Sequence, residues 1–363
     1  MARNPLNQPM TRNTEDLVIG LMKVKIGDII DATSPPVSGA GALDDLGSIQ
    51  AASATLEMTH KPHVSGFPEE EDYKILETKT IGFKISPEEV GSTAVRGIIT
   101  GVLDSIKTGV LRKYAVEGTI QKQSGDLIRL FSNHCELRPN LSISTDNDWG
   151  AIELDIQWAY NSSYVSNKPL YKSTVSASTR DRAEMAITKD PLNLVIGRPQ
   201  IRIGNIGTSA TGVSASTSHL IETDSIGAIQ GASLTIEPTF LEHTAGYPEV
   251  VDVTMLERVE VAIEAQVEEF ATADGGIVEG TAATLFDVLL DSATNNTDYY
   301  CSAHVVWELA DGGLFQFWLP NCKIESSAEI STEQGWSAFP VKLTAMKQTV
   351  LGTDAPDLIY LLA

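Results

Sequence analysis

The sequence predicts a mainly β fold, a β-sandwich or half-barrel with one inserted α-helix, present twice in tandem. Three observations carry this reading. A long stretch recurs without a gap at an offset of 180 residues: Gly47 to Thr59 answers Gly227 to Thr239, and His63 to Glu69 answers His243 to Glu249. Apolar and polar residues alternate in several short runs of each half, the period of a half-buried strand. Each half then carries a single run of helical period. Internal repeats decide a fold before any site does, because each copy must build the same core.

In chain order, residues 1–15 are polar and expected to be an arm that orders on assembly. Leu17-Val18-Ile19-Gly20 and Val24 to Ile29 read as a strand. They recur as Leu194-Val195-Ile196-Gly197 and Ile201 to Ile206, at an offset of 177. The loops that follow, Ser34 to Gly41 and Thr208 to Ser218, are rich in Gly, Ser and Ala and expected at the surface. The gapless stretch is a strand in each copy, with Ala54, Leu56 and Met58 on one face and Ser53, Thr55 and Glu57 on the other. The Gly-aromatic-Pro-Glu segments, Gly66-Phe67-Pro68-Glu69 and Gly246-Tyr247-Pro248-Glu249, read as turns or loops. Thr80 to Ile85 and Val259 to Glu264 are the next strands.

Val95, Ile98, Ile99, Val102, Leu103 and Ile106 recur at helical spacing and form one apolar face, with Ser92 as N-cap. Ala282, Leu285, Phe286, Leu289, Leu290 and Ala293 repeat that spacing at an offset of 187. At the same offset Phe131 to Leu137 answers Trp318 to Ile324, Ile143 to Asp146 answers Ile330 to Glu333, and Trp149 answers Trp336. Final strands run from Ile152 to Trp158 and from Phe339 to Ala345. The resulting division is 1–160 for the first β domain with its arm, 161–190 for a polar inter-repeat linker, and 191–363 for the second β domain. The two copies are expected to share one strand order, with Ile26/Ile203, Leu56/Ile236, Leu103/Leu290 and Trp149/Trp336 equivalent.

The whole-chain numbers set limits. At 363 residues, 42% apolar and 20% charged, the chain suits two ordinary soluble domains. No long uncharged apolar run spans a membrane, and the first residues lack a signal-peptide core. Cys135, Cys301 and Cys322 make no disulfide framework and are expected as free thiols in a reducing cytoplasm. The net charge is −22; from residue 201 onward five basic residues face 23 acidic ones, a net of −18. Such a chain repels nucleic acid rather than gripping it, because phosphate binding needs clustered Lys and Arg. The charge also suits simple solubility.

Catalytic and metal motifs are absent: no zinc-protease spacing, no P-loop, no dinucleotide-binding glycine pattern, no nucleophile elbow. His63 and His243 recur beside Glu69 and Glu249, a pattern that fits hydrogen-bonding loop residues better than metal ligands. Cys135 and Cys322 recur in apolar surroundings without a base, as buried structural thiols do. Trp149 and Trp336 suit core plugs better than stacking platforms. No catalytic, cofactor or metal residue is assigned, and the chain is not expected to be an enzyme.

The closing segment of the second copy narrows the function. Trp307, Asp311-Gly312, the run Phe317 to Ile324, Gly335-Trp336, Pro340 and a last strand resemble the major tail tube proteins of long-tailed bacteriophages. An initial Ile-Gly strand, a long loop and one mid-domain helix precede them in that family's order. The likeness is one of pattern and order across both copies. It implies a tube-fold protein, here duplicated, whose rings stack around a channel for DNA ejection. Single-copy members form six-subunit rings, so a duplicated chain implies a homotrimer with a pseudo-hexameric ring. The implied partners are the chain itself, the tape measure, the tail terminator and distal tail or baseplate proteins, and the implied place is the virion tail. Two alternatives lie outside that class, a tandem β-sandwich binding module, such as an adhesin or carbohydrate-binding protein, and an enzyme with an unrecognised site; a decoration or tail-end protein is the alternative within it.

Two expectations follow for the tube. His63, Gly66, Phe67, Pro68 and Glu69, with His243, Gly246, Tyr247, Pro248 and Glu249, are candidates for contacts between rings. In the run Arg258 to Glu268, Val259, Val261, Ile263, Ala265 and Val267 face the core. Glu260, Glu264 and Glu268 then face the channel, with DNA passing a like-charged wall without binding. The first copy has Thr80, Lys84 and Glu88 there and is less acidic.

Overall fold

The computed structural model describes residues 18–29, 43–65, 70–138, 141–144, 151–159, 171–175, 189–204, 224–227, 229–245, 250–268, 285–296, 298–325, 338–347 and 358–362. Among the described residues the fold is mainly β, in two sheets with one α-helix per copy.

The first copy runs β1 (Val18–Gly27), β2 (Leu43–Asp45), β3 (Ile49–Ser65), β4 (Glu70–Pro87), α1 (Thr93–Thr108), β5 (Lys113–Lys122), β6 (Leu127–Arg138), β7 (Leu141–Ser144), β8 (Ala151–Ile152), β9 (Leu154–Trp158) and β10 (Tyr171–Val175). The second runs β11 (Val195–Gly204), β12 (Asp224–Ser225), β13 (Ile229–Ala245), β14 (Val250–Val267), α2 (Leu285–Asn295), β15 (Tyr300–Leu309), β16 (Leu314–Glu325), β17 (Phe339–Ala345) and β18 (Tyr360–Leu362). The first sheet has the order β2-β1-β5-β6-β9-β4-β3, with β10 also on β6. The second has β12-β11-β15-β16-β17-β14-β13, with β18 also on β16. The two copies therefore share one strand order, and every ladder that both contain is antiparallel.

Local chemistry explains the elements. The repeated stretch opens on Gly47 and Gly227 because both sit at positive φ, +73° and +87°, where a side chain is strained. Space reinforces this at Gly47, where a Cβ would lie 2.4 Å from the Glu89 carboxylate. Glu89 is buried and accepts hydrogen bonds from the backbone N–H of Ser48 (2.8 Å) and of Asp190 (3.1 Å). In α1 the Ser92 hydroxyl accepts from the Val95 N–H at 3.3 Å, and Gly109 ends the helix in the left-handed conformation. Its buried face is Val95, Ile98, Ile99 and Val102, each contributing about 2 kcal/mol of burial. A single apolar cluster runs through both copies, from Val24 and Phe83 in the first to Trp307 and Phe339 in the second.

Three features differ from the sequence expectations. The 161–190 stretch, expected to be a linker, supplies β10, which pairs Tyr171 with Phe131 along the same edge of β6 that β9 uses. Its counterpart β18 pairs Tyr360 with Trp318, so the repeat extends to the chain's last described strand. Strands β5 and β15 add to the strands expected from the sequence. The closing run of the first copy also splits: β9 stays in the first sheet, whereas β7 and β8 join the second sheet by pairing β7 with β13. The arm, the two Gly/Ser/Ala loops (34–41 and 208–218), Trp149, Trp336 and Ala282 lie outside the described residues.

Candidate assembly interface

The hand-over of β7 is the main joint between the copies. Ser233, Leu234, Thr235 and Ile236 of β13 pair with Ser144, Ile143, Ser142 and Leu141. Leu141, Ile143, Ile152, Leu234 and Ile236 are all fully buried there. Arg138, just before β7, forms an ion pair with Glu242 and lies over the Phe240 ring at 5.0 Å. Further contacts tie the copies together elsewhere. The Arg96 guanidinium donates to the Leu314 carbonyl at 2.9 Å, and the Gly91 N–H donates to the Asn193 carbonyl at 3.0 Å.

The joint is head to tail: a strand of the first copy caps an edge of the second. The corresponding edge of the first copy, the outer side of β3, has no strand on it among the described residues. The consequence shows at equivalent positions. Ile236 is fully buried, but Leu56 is 55% exposed; Leu234 is fully buried, but Ala54 is exposed. The face assigned to Ala54, Leu56 and Met58 is thus uncovered in this chain, although the same face of β13 is core.

Both hairpins reach well beyond their sheets. Strand β4 pairs with β9 only from Gly82 to Ile85, yet β3 and β4 stay paired out to Ser65 and Glu70. Strands β13 and β14 do the same, out to Ala245 and Val250. Met58, Val64 and Tyr73 on one arm, and Leu241, Val253 and Met255 on the other, expose large apolar side chains. An isolated two-stranded ribbon is marginal in water, and exposed apolar side chains are the usual mark of a contact surface. His63 and His243, expected in loops, lie in the strands of the arms. His63 pairs with Tyr73 and stacks on its ring at 4.6 Å. Gly66, Phe67, Pro68, Glu69, Gly246, Tyr247, Pro248 and Glu249 lie outside the described residues.

The acidic strand behaves as its alternation requires. Val261, Ile263, Ala265 and Val267 are buried, while Glu264 is exposed and Glu260 and Glu268 are half-buried. Ala262, which the alternation places on the side of the glutamates, is buried as well. Lys342 on β17 bridges Glu260 at 2.9 Å and Glu264 at 3.6 Å. That contact holds the Glu260 carboxyl below its usual range. Glu264 stands where the first copy has Lys84.

The three cysteines and two of the histidines are buried. Cys135, Cys301 and Cys322 are free and fully buried, and burial pushes the thiols of Cys135 and Cys301 up to about 12. His134 hydrogen-bonds through Nδ1 to the Ala159 carbonyl and His304 through Nε2 to Gln316; burial lowers both imidazoles. Among the described residues no group of three or more His, Cys, Asp or Glu is placed to hold a metal ion, and no helix is long and apolar enough to cross a membrane.

No protein-family model and no curated protein matches the chain. Among solved structures, a chain from the tail of an empty GTA particle, computed by helical refinement with C6 symmetry, is similar at 11% identity and a TM-score of 0.25. The match covers 43% of this chain and 100% of that one. A likeness this slight assigns no role.

Proposed function

We propose that this chain is a structural protein that joins to copies of itself head to tail in closed rings, which stack into a tube of the phage-tail kind. The observation that carries the reading is the β7–β13 joint beside an uncovered β3. A contact between unlike surfaces, repeated with a rotation, either closes into a ring or grows without end. Closure also removes the open sheet edges that invite uncontrolled pairing. With two units in each chain, three chains make the pseudo-hexameric ring that the sequence resemblance implies.

In this reading the arms and their tips, including His63 and His243, bridge one ring to the next. The face bearing Glu260, Glu264 and Glu268 lines the channel, so passing DNA meets like charge and no sticking point. The chain acts as no enzyme and needs no cofactor. Its partners are itself and the tape measure, terminator and distal tail proteins, in the virion tail. Electron microscopy of the purified protein at high concentration, with mass measurement by light scattering, tests this. Three-chain rings or hollow tubes are expected; a strictly monomeric species refutes it.

A further inference from the structure

We propose that the outer edge of β3, Ser53 to Leu56, is the docking strip for a second copy of this chain, and that residues 328–331 of that copy fill it as an added strand. The proposal rests on the ring reading above and goes further by fixing which residues meet and how the joint differs from the one inside the chain.

Two independent contrasts between the copies point the same way. The first is on the strands. Leu234 and Ile236 are buried where β7 pairs with β13, and their equivalents Ala54 and Leu56 are exposed. The second is on the helices. Helix α1 touches β18 of the second copy, and its Leu103 is half-buried against the shared core. The equivalent Leu290 of α2 is 57% exposed. The counterpart of β18 is β10, so the element missing from α2 is the β10 of a following chain. One end of the chain lacks what the other end offers, and only a second copy supplies both.

The repeat offsets fix the register. Strand β7 lies 187 residues before 328–331, and β13 lies 180 residues after Ser53 to Leu56. Carrying the β7–β13 pairing across puts Ser53 opposite Ser331, Ala54 opposite Ile330, Thr55 opposite Glu329 and Leu56 opposite Ala328. Residues 328–331 lie outside the described residues, and their assignment comes from these offsets. Strand addition to an open edge gives affinity through main-chain hydrogen bonds and register through alternate side chains.

The two joints are not alike. The position of Arg138 is taken by Glu325, which accepts from Thr344 at 2.9 Å within its own copy. Phe240 and Glu242 are replaced by His60 and Pro62. The ion pair that locks the joint inside the chain therefore has no counterpart between chains. The chain-to-chain joint is held by strand pairing and apolar contact, as suits a joint made after folding.

The test is a cysteine pair. Residues directly opposite in an antiparallel ladder sit within disulfide reach, and a shift by one residue turns the side chain to the other face. The native cysteines are fully buried. Thr55→Cys with Glu329→Cys is expected to give, under mild oxidation, chains linked into dimers and trimers on a non-reducing denaturing gel. Ala54→Cys with Ile330→Cys, a second in-register pair, is expected to do the same. Thr55→Cys with Ile330→Cys is not. Thr235→Cys with Ser142→Cys is expected to link within one chain and leave the mass unchanged. The same samples are sedimented and imaged. Rings that form with neither in-register pair linked overturn this joint and leave the ring reading standing. Linked chains that never close support the joint and refute the ring. Unlinked monomers at high concentration overturn both.

Discussion

Ile236 lies directly opposite Leu141, a residue of the other copy, and both side chains are fully buried. Leu56, the equivalent of Ile236, is 55% exposed in the same chain. The same kind of residue at the same place in the repeat is core in one copy and surface in the other, because only one copy has its neighbour.

This separates folding from assembly. Ile236→Ala is expected to destabilise the isolated chain by about 3 kcal/mol, the cost of an unfilled core site. Leu56→Ala is expected to change it by less than about 0.5 kcal/mol, as at an open surface. Leu56→Asp is expected to leave the melting curve in place and abolish assembly. Urea titration and sedimentation of the three variants check this; equal losses of stability at the two sites would contradict the missing neighbour.

The Arg138–Glu242 pair makes a second test. Both side chains are partly screened by solvent, so the coupling between Arg138→Ala and Glu242→Gln in a double-mutant cycle is expected near about 1 kcal/mol or below. Arg138→Ala alone is expected to cost more than Glu242→Gln alone, because it also strips the contact over Phe240. Equal single-variant losses would show that the ring contact contributes nothing.

Two glycines of α1 should respond with opposite signs. A Cβ at Gly101 would meet the Tyr114 hydroxyl at 2.1 Å, whereas at Gly97 nothing lies within 4 Å. Gly101→Ala forces the buried Tyr114 to shift and is expected to destabilise by about 1–2 kcal/mol net of helix propensity. Gly97→Ala is expected to stabilise by up to about 1 kcal/mol. Denaturant midpoints of the two variants decide it.

The histidines give a pH dependence with a definite sign. Burial lowers the pKa of both His134 and His304 below the usual 6.5, and Lys113 and Arg202 respectively push the same way. The unfolded chain thus binds protons that the folded chain refuses, so stability is complete above about pH 6.5 and falls as the pH drops below it. The melting temperature is expected to fall by roughly 2–4 °C between pH 7.5 and pH 5.5. His134→Asn with His304→Asn is expected to flatten that slope. An unchanged slope would mean that other groups set the acid limb.

Much of this fold was legible because the repeat states it twice. The α1 face, the β1 and β11 strands and the alternation of β14 could be read directly. Strands β5 and β15 could not: Tyr114, Ala115 and Val116 are consecutive and all buried, as are Cys301 to Trp307. A strand covered on both faces shows no period. Strand β10, Tyr171 to Val175, is a short and largely polar strand defined only by the β6 residues it meets. The acidic face of β14 was readable as a pattern. The β3 edge was not, since Leu56 and Ile236 look alike in sequence and differ only in what covers them. Nor could the offsets alone say that β7 leaves its own sheet, because strand identity is local and partner choice is not.

The acidic face carries the last prediction. Glu264 is exposed, Glu260 is bridged to Lys342 and held below the usual carboxylate range, and Glu268 is half-buried. Glu260 is held by both Arg258 and Lys342, and the one lysine is shared with Glu264, so the negative charge left over on this face sits mainly at Glu264 and Glu268. If the face lines a channel, charge reversal there turns a repelling wall into a binding one. Glu264→Lys with Glu268→Lys is expected to leave ring and tube formation intact and to make the assembled tubes retain DNA at low salt. That retention should weaken steeply as salt rises, because binding through phosphates releases counterions. The same reversal on an outer surface would also bind DNA, but along the outside, so nuclease digestion distinguishes the two. DNA fragments protected within tubes are expected, whereas complete digestion of the bound DNA would place Glu264 and Glu268 on the exterior.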